Sequence, residues 1–333
     1  EVALLTTTGF KELDTGGPTG LLRGEGMFKA RVASDPALRV QHALEVKVGY
    51  AGEVSNETYQ GKSIDDLDTP YRRYAASALD RMGWHRTQLQ VSWPVRIGPD
   101  LSIRTTAYHH ELDRAWVKLN RFAGGPDLHD VLLTEGASGQ AAVFLDILRG
   151  REDSQSPDQR LQLGTNDRLL TNVGLQSSLR WTRTLTGDRG PTLEHRLRAG
   201  IRLHADRVQR VHTEDPHDMV SGALVRTEDP REILLDSRAG AQALAVHVHD
   251  DLRLGSTHII PGARVEAIRT WREDVGSEVS DPVLRTIVLP GLGVLHPLLD
   301  SLDIFAGAYR GFSPVAPGQP AEIEPEESWN LEG

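Results

Sequence analysis

The chain has 333 residues, with 37 Lys and Arg against 47 Asp and Glu, a net charge of −10 and no cysteine. The absence of cysteine excludes disulfide frameworks, thiolate zinc sites and thiol nucleophiles, and the net acidity argues against a nucleic-acid partner. Apolar residues make up 38% of the chain, and no stretch reaches the ~18 consecutive apolar residues of a membrane-spanning helix. Composition does not exclude a membrane β-barrel, because the strands of such a barrel alternate apolar and polar residues and look hydrophilic on average.

Both termini of the chain look cut. The chain begins at Glu1 without the charged and apolar regions of a signal peptide, and residues 328–333 read like the opening of a further strand. We therefore expect a fragment of a longer protein.

The dominant pattern is a period-two alternation of apolar and polar residues, which predicts β-strands. Between residues 193 and 206, for example, Leu197, Ile201 and Leu203 alternate with Arg198 and Arg202. The pattern predicts eleven strands, at 1–9, 23–33, 38–54, 85–97, 101–114, 165–185, 192–207, 239–254, 258–271, 286–298 and 302–312.

The connections between these strands alternate between short and long. The short ones lie at 34–37, 98–100, 186–190, 255–257 and 300–301, and the long ones at 10–22, 55–84, 115–164, 208–238, 272–285 and 313–327. Inside the long ones, 74–81 and 141–148 have helical composition. In an up-and-down antiparallel sheet this regularity puts every tight turn at one end, which is the plan of outer-membrane barrels.

A barrel in lipid needs one apolar strand face toward hydrocarbon, and its other face lines a wet lumen and carries charge. The alternation fits that demand, but a soluble antiparallel protein with a solvated face also fits it. Predicted strand lengths favour the barrel, because crossing lipid takes ~9–11 residues while an average soluble strand has ~5–6.

Several segments resemble TonB-dependent outer-membrane receptors close to the ferric dicitrate and siderophore transporters. They are GFKELD at 9–14, SNETYQG at 55–61, DTPYRRYAAS at 68–77, IPGARVE at 260–266, LPGLG at 289–293, YRGFSPV at 309–315 and PEESWN at 325–330. The last two are the most specific, and together the segments extend over nearly the whole chain.

The resemblance implies a 22-stranded barrel with a plugged lumen, in the outer membrane of a Gram-negative bacterium. Such a receptor binds a ferric chelate outside and imports it with energy from the inner membrane through a TonB-type coupler. Fe³⁺ would then be part of the cargo, and the chain itself would bind no cofactor. We expect residues 1–333 to form about half of the barrel, without the plug domain, the coupling segment or the terminal strands.

The predicted lumen face is basic although the chain is acidic. Its arginines are Arg86, Arg168, Arg180, Arg196, Arg198, Arg202, Arg253, Arg264 and Arg310. Guanidinium groups pair with carboxylates bidentately, so those nearest the long loops could bind an anionic ferric chelate. This set is Arg86, Arg168, Arg202, Arg264 and Arg310. The alternative is that lumen arginines pair with Glu45, Asp251 and Glu266 or hold the plug.

Other chemistry has little support in the sequence. His247 and His249 share a strand face and are weak candidates for a metal site, since two lumen histidines more often belong to a hydrogen-bond network. No nucleophile-elbow, P-loop or zinc-protease motif is present, so we do not expect an enzyme. The alternatives left open are a complete small outer-membrane barrel, acting as a porin or a barrel enzyme, and a soluble β-sandwich binding module.

Overall fold

The computed structural model describes residues 2–11, 19–56, 58, 60–69, 73–134, 136, 138–186, 192–276 and 280–333, with side chains from residue 20 onward except Ser280. The strands are β1 (Val2–Lys11), β2 (Thr19–Ala33), β3 (Val40–Ser55), β4 (Arg81–Ile97), β5 (Leu101–Phe122), β6 (Leu161–Leu185), β7 (Leu193–Val220), β8 (Ala223–Arg226), β9 (Glu232–Leu254), β10 (Thr257–Asp274), β11 (Ser280–Leu299), β12 (Leu302–Ser313) and β13 (Glu326–Glu332). Two short helices, α1 (Leu128–Leu133) and α2 (Gln140–Arg149), lie between β5 and β6.

The described strands form one antiparallel sheet in which neighbours in the chain are neighbours in space. The order runs from β1 to β7 and then from β9 to β13, and β8 pairs with the end of β7. Within the described residues β1 and β13 do not pair with each other, so the sheet is open. This order confirms the predicted up-and-down sheet and excludes the β-sandwich, which needs a second sheet packed on the first.

Several strands are longer than the alternation predicts. β5 continues to Phe122, β6 begins at Leu161 and β7 runs for 28 residues. The loops predicted at 115–164 and 208–238 are therefore partly strand, and so is the loop predicted at 272–285, since β10 ends at Asp274 and β11 begins at Ser280. Beyond Arg207 both faces of β7 carry polar residues, so its alternation fades. In the extensions of β5 and β6, the apolar residues Leu119, Leu161 and Leu163 instead belong to the buried core.

One predicted helix is confirmed and the other is wrong. α2 covers the helix predicted at 141–148 and ends at Gly150, whose φ of +75° favours glycine. Residues 74–81 form a single 3-10 turn at Ala75–Ser77, and β4 begins at Arg81. No helix in the described part of the chain is long and apolar enough to cross a membrane. Residues 187–190 of a predicted turn and 12–18 of a predicted loop lie outside the described residues.

The register assigns side chains to two faces, because directly paired residues point to the same side of a sheet. Across β4 to β9, consecutive partners on the apolar face are Val91, Ala107, Leu175, Leu203 and Leu244. Across β4 to β7, consecutive partners on the polar face are Ser92, Thr106, Gln176 and Arg202. Leu203 is 51% exposed, so no second layer of the described residues covers it.

The apolar face has a limited height. On β7 the side chains of this face are apolar from Leu197 to Ala205. They are bounded by His195 toward the short turns, which we call below, and by Arg207 toward the long loops, which we call above. The stretch 197–205 matches the ~9–11 residues that a tilted strand needs to cross a bilayer. We call this band the apolar belt, and beyond it β5, β6, β7 and β9 continue toward the long loops.

The buried core lies beyond the apolar belt, at the long-loop end. Tyr74 and α2 residues Phe144 and Leu148 pack there against Phe122 and Met219, and all five are at most 3% exposed. The rings of Phe122 and Phe144 meet edge-on with centroids 4.7 Å apart. This cluster fastens the loops before β4 and β6 to the extended strands.

Candidate ligand-binding site

Four of the five arginines predicted to contact a ligand lie on the polar face. Arg86 follows the alternation of Ser92 on β4, and Arg202 pairs with Gln176. Arg168 is in the same alternating set of β6 as Gln176, and Arg264 pairs with His247 of β9. The polar face therefore collects arginines from four strands.

Arg310 lies on the apolar face, contrary to the prediction. It pairs with the exposed Trp329, and its neighbour in the same alternating set, Ala308, pairs with Leu292. The guanidinium forms an ion pair with Glu327. Both faces of β12 carry small and large apolar residues, and each carries one charged residue, so the pattern of this strand alone does not reveal which face is which.

Two of the predicted arginines are bound by other groups of the wall. Arg202 donates from Nε to the hydroxyl of Tyr108 at 3.0 Å, and that hydroxyl lies 2.8 Å from Nδ1 of His204. Arg264 donates to Oε1 of Glu266 at 2.5 Å, as the ion-pair alternative predicts. Both arginines belong to the lower part of the wall, beside the apolar belt.

A second group of arginines forms a straight row on the polar face beyond the belt. Arg114 of β5 pairs with Arg168 of β6, and Arg168 pairs with Arg210 of β7. Trp84 of β4 extends the row, since it pairs with Arg114. Adjacent strands lie ~4.8 Å apart, so three cationic side chains project side by side. We call Arg114, Arg168 and Arg210 the arginine row.

The arginine row has no carboxylate partner among the described residues. In the described part of the chain, the one side-chain hydrogen bond of the row runs from Nε of Arg168 to Oδ1 of Asn166 at 2.8 Å. Nε of Arg114 and Nε2 of the adjacent His212 are buried and lack a hydrogen-bond partner. Like charges directly opposite each other destabilise a sheet, and an anion held between these groups would remove that repulsion.

Sequence reasoning found one member of the row and missed two. Arg114 stood at the last residue of a predicted strand, and Arg210 stood in a predicted loop at 208–238. Extending the alternation of 192–207 by three residues would have placed Arg210 on the polar face. Nothing in the sequence gives the register that sets Arg114, Arg168 and Arg210 side by side.

The histidine pair shows no metal geometry. His247 and His249 lie on the polar face with ring centroids 6.5 Å apart. In the part of the chain that the structure describes, no group of three or more His, Cys, Asp or Glu side chains could hold a metal ion. Of the other two histidines that the sequence places together, His110 lies on the polar face with Gln88 and His109 on the apolar face with Leu89.

Buried polar groups hold the loops at the long-loop end of the sheet. Arg149 of α2 donates from Nε to Oδ2 of Asp66 at 2.8 Å, and the hydroxyl of Tyr74 donates to the same oxygen at 2.7 Å. Burial favours a higher pKa for Asp66, but these hydrogen bonds and the charge of Arg149 outweigh it and lower that pKa. Asp80 accepts from the amide of Leu119 at 2.9 Å, and burial raises the pKa of Asp80.

Comparison with known proteins decides what this sheet is. Residues 35–333 match the family model described as TonB dependent receptor-like, beta-barrel. The chain belongs to that family. Members are transport receptors of the Gram-negative outer membrane rather than enzymes, and the fold has its long loops outside the cell and its short turns in the periplasm.

Three solved receptor structures share the fold. The unliganded ferric citrate transporter FecA has 17% identity and a TM-score of 0.69, over 99% of this chain and 43% of FecA. The siderophore receptor PiuA from Acinetobacter baumannii has 12% identity and a TM-score of 0.64, over 99% and 49%. The ferric-catecholate import receptor Fiu from E. coli K12, in its open form, has 12% identity and a TM-score of 0.56, over 94% and 50%. The chain spans about half the length of these receptors.

The family assignment orients the arginine row. Because the long loops of a TonB-dependent receptor barrel are extracellular, Arg114, Arg168 and Arg210 lie on the inner wall near its outer mouth. The arginine row lies nearer that outer mouth than the level of the apolar belt, where Arg202 and Arg264 lie.

Proposed function

We propose that this barrel belongs to an outer-membrane receptor that binds an anionic ferric chelate with carboxylate groups and imports it. The arginine row carries the proposal: three adjacent guanidiniums face the lumen near the outer mouth and lack a carboxylate partner among the described residues. Fe³⁺ is cargo inside the chelate. Energy for import comes from the inner membrane through a TonB-type coupler.

The chemistry of the row selects the ligand class. A guanidinium offers a rigid fork of donors that matches a carboxylate, and charge-assisted pairs of this kind are about twice as strong as neutral hydrogen bonds. Ferric citrate presents several carboxylate oxygens around one ion. FecA, which has the same fold, transports ferric citrate, and this supports the same class of chelate here.

The proposal is tested on the full-length receptor in detergent, with ferric citrate as the probe. Changing Arg168→Gln together with Arg210→Gln removes two cations and leaves hydrogen-bonding side chains of similar length. We expect the Kd for ferric citrate, measured by isothermal titration calorimetry, to rise by about a hundredfold, since two charge-assisted contacts are lost.

Arg180→Gln is the matched control. Arg180 also faces the lumen and has no ion pair among the described residues, but it lies at the short-turn end, opposite Arg198. We expect this variant to bind ferric citrate as the wild type does. Equal affinity in the double variant and the wild type would contradict the proposal, and so would a wild type that binds a ferric catecholate but not ferric citrate.

A further inference from the structure

Arginines also occur on the lipid-facing side, immediately above the apolar belt. On β7 the apolar series 197–205 ends at Arg207, and on β10 the series Val265, Ala267 ends at Arg269. The register relates the two: Arg269 pairs with Gln242 of β9, which pairs with Ala205, the residue just below Arg207 in the same series. The two cations therefore mark the upper edge of the belt on one side of the barrel.

These two arginines are free to take an external partner. Arg207 and Arg269 are both exposed. Among the described residues, neither forms a hydrogen bond or an ion pair through its side chain, whereas Arg310, which faces the same side on β12, is paired with Glu327. A charged group at the border of hydrocarbon needs either water or a counter-ion, because leaving it unpaired in apolar surroundings is costly.

An aromatic side chain lies between the two cations. Arg207 pairs with Gly240, and Gly240 pairs with Trp271. A Cβ added at Gly240 would lie 3.0 Å from two atoms of the indole and 2.5 Å from the carbonyl oxygen of Asp206, so the missing side chain is what lets the ring lie across β9. Tryptophan is enriched where the hydrocarbon of a membrane meets the lipid headgroups. Trp271 therefore indicates that Arg207 and Arg269 lie at the level of the headgroups.

The rim of the neighbouring strands has the opposite charge. On the same outer face, Glu111 and Asp113 of β5 and Asp167 of β6 occupy the positions above the belt. Asp167 pairs with Ala115, and Glu111 pairs with Thr171. Arg207 and Arg269 therefore lie beside an acidic sector on β5 and β6, and the outer-face arginines of β4 and β12, Arg81 and Arg310, lie on other parts of the wall.

We propose that Arg207 and Arg269, with Trp271 between them, bind the phosphate groups of an anionic lipid of the outer leaflet. The inference rests on the membrane location in the proposed function but does not involve the chelate. Exposed guanidiniums match phosphate oxygens bidentately, each cation at a membrane surface adds to the attraction of anionic lipid, and the apolar belt directly below accommodates the acyl chains of the same molecule.

The test is native mass spectrometry of the full-length receptor in detergent with diphosphoryl lipid A as the probe. We expect the wild type to retain lipid A, and the variant with Arg207→Gln and Arg269→Gln to need about a tenfold higher lipid concentration for the same occupancy. Arg183→Gln is the matched control, because Arg183 lies on the same outer face at the short-turn end, paired with His195, and should bind lipid A as the wild type does.

Three results would overturn the lipid site. They are equal occupancy in the double variant and the wild type, equal binding of lipid A from which both phosphates have been removed, and displacement of the lipid by millimolar inorganic phosphate. Ferric citrate affinity is measured on the same samples. A receptor that binds ferric citrate but not lipid A refutes this inference alone, and one that binds lipid A but not ferric citrate refutes the proposed chelate and leaves the lipid site intact.

Discussion

At the scale of single residues, the buried pair of Asp66 and Arg149 determines how firmly the loop at 60–69 is held. Asp66 is 2% exposed, and its carboxylate accepts from both Arg149 and Tyr74. A buried ion pair of this kind adds little over an apolar pair, but removing one partner leaves an uncompensated charge. The pair therefore makes the packing of this loop sensitive to single substitutions.

Arg149→Met is expected to destabilise this loop by about 3 kcal/mol, because it leaves the Asp66 carboxylate buried without its cation. The measurement is hydrogen exchange of the amides of α2 and residues 60–69 in the full-length receptor. Arg149→Met combined with Asp66→Asn removes both charges and is the matched control, and we expect it to regain most of the lost protection.

The pH dependence of the same exchange gives an independent check. In the wild type the pKa of Asp66 is lowered, so its contribution to stability is present above the unfolded value of about 3.9 and is lost as the pH falls through the folded value. In Arg149→Met, burial without the cation favours a raised pKa, so acidification should increase protection. The same direction of change in both proteins would contradict this account of the pair.

At the scale of single strands, the medium beside each face determines which residues that face carries. β7 carries Leu197, Ile201 and Leu203 on one face and Arg198 and Arg202 on the other. Beside hydrocarbon the strand must keep these sets apart, and beyond the belt it is released from that demand. This is why β7 extends well past Ala205 without a clean alternation.

Leu203→Arg is expected to cost about 2–4 kcal/mol of barrel stability, because Leu203 lies inside the belt and a cation there faces lipid. The matched control is Asn172→Arg on β6, a polar-face position that pairs with Asp206, where a cation meets the lumen and a carboxylate. The measurement is urea unfolding of the full-length receptor in micelles, followed by the electrophoretic shift of the folded barrel. Similar losses in both variants would show that the two faces do not have different surroundings.

At the scale of the whole molecule, the distribution of charge outweighs its sum. The chain has a net charge of −10, which by itself would repel an anionic chelate. The arginine row nevertheless concentrates positive charge on the inner wall near the outer mouth, and a cavity lined by one sign of charge focuses its field on an incoming ligand.

The association rate of ferric citrate with the full-length receptor should therefore fall as salt is added. Between 0.01 and 0.15 M ionic strength the screening length shortens from about 30 to about 8 Å, and we expect the rate to drop by about tenfold. Stopped-flow quenching of tryptophan fluorescence measures it. The variant with Arg168→Gln and Arg210→Gln should lose most of this dependence, and a wild-type rate that rises with salt would mean that the net negative charge dominates.

The sequence predicted the sheet better than the site. Alternation located eleven of the strands, and the regular order of turns and loops predicted their up-and-down arrangement. It missed the short strand β8. β13 lies where residues 328–333 read like the opening of a further strand, although these residues are too few to establish a period. It also assigned Arg310 to the lumen, because β12 carries one charged residue on each face, Asp303 and Arg310, and its pattern therefore does not distinguish the two faces.

The candidate site depended on information that no single strand contains. Except on β12, the sequence by itself determined which faces are apolar, since that follows from the order of side chains along each strand and the period of two. Only the tertiary structure decided that Arg114, Arg168 and Arg210 stand side by side while Arg202 and Arg264 lie lower on the wall. Register is a relation between strands, fixed by hydrogen bonds across the sheet, and a shift of two residues would keep every face unchanged and still separate the three arginines.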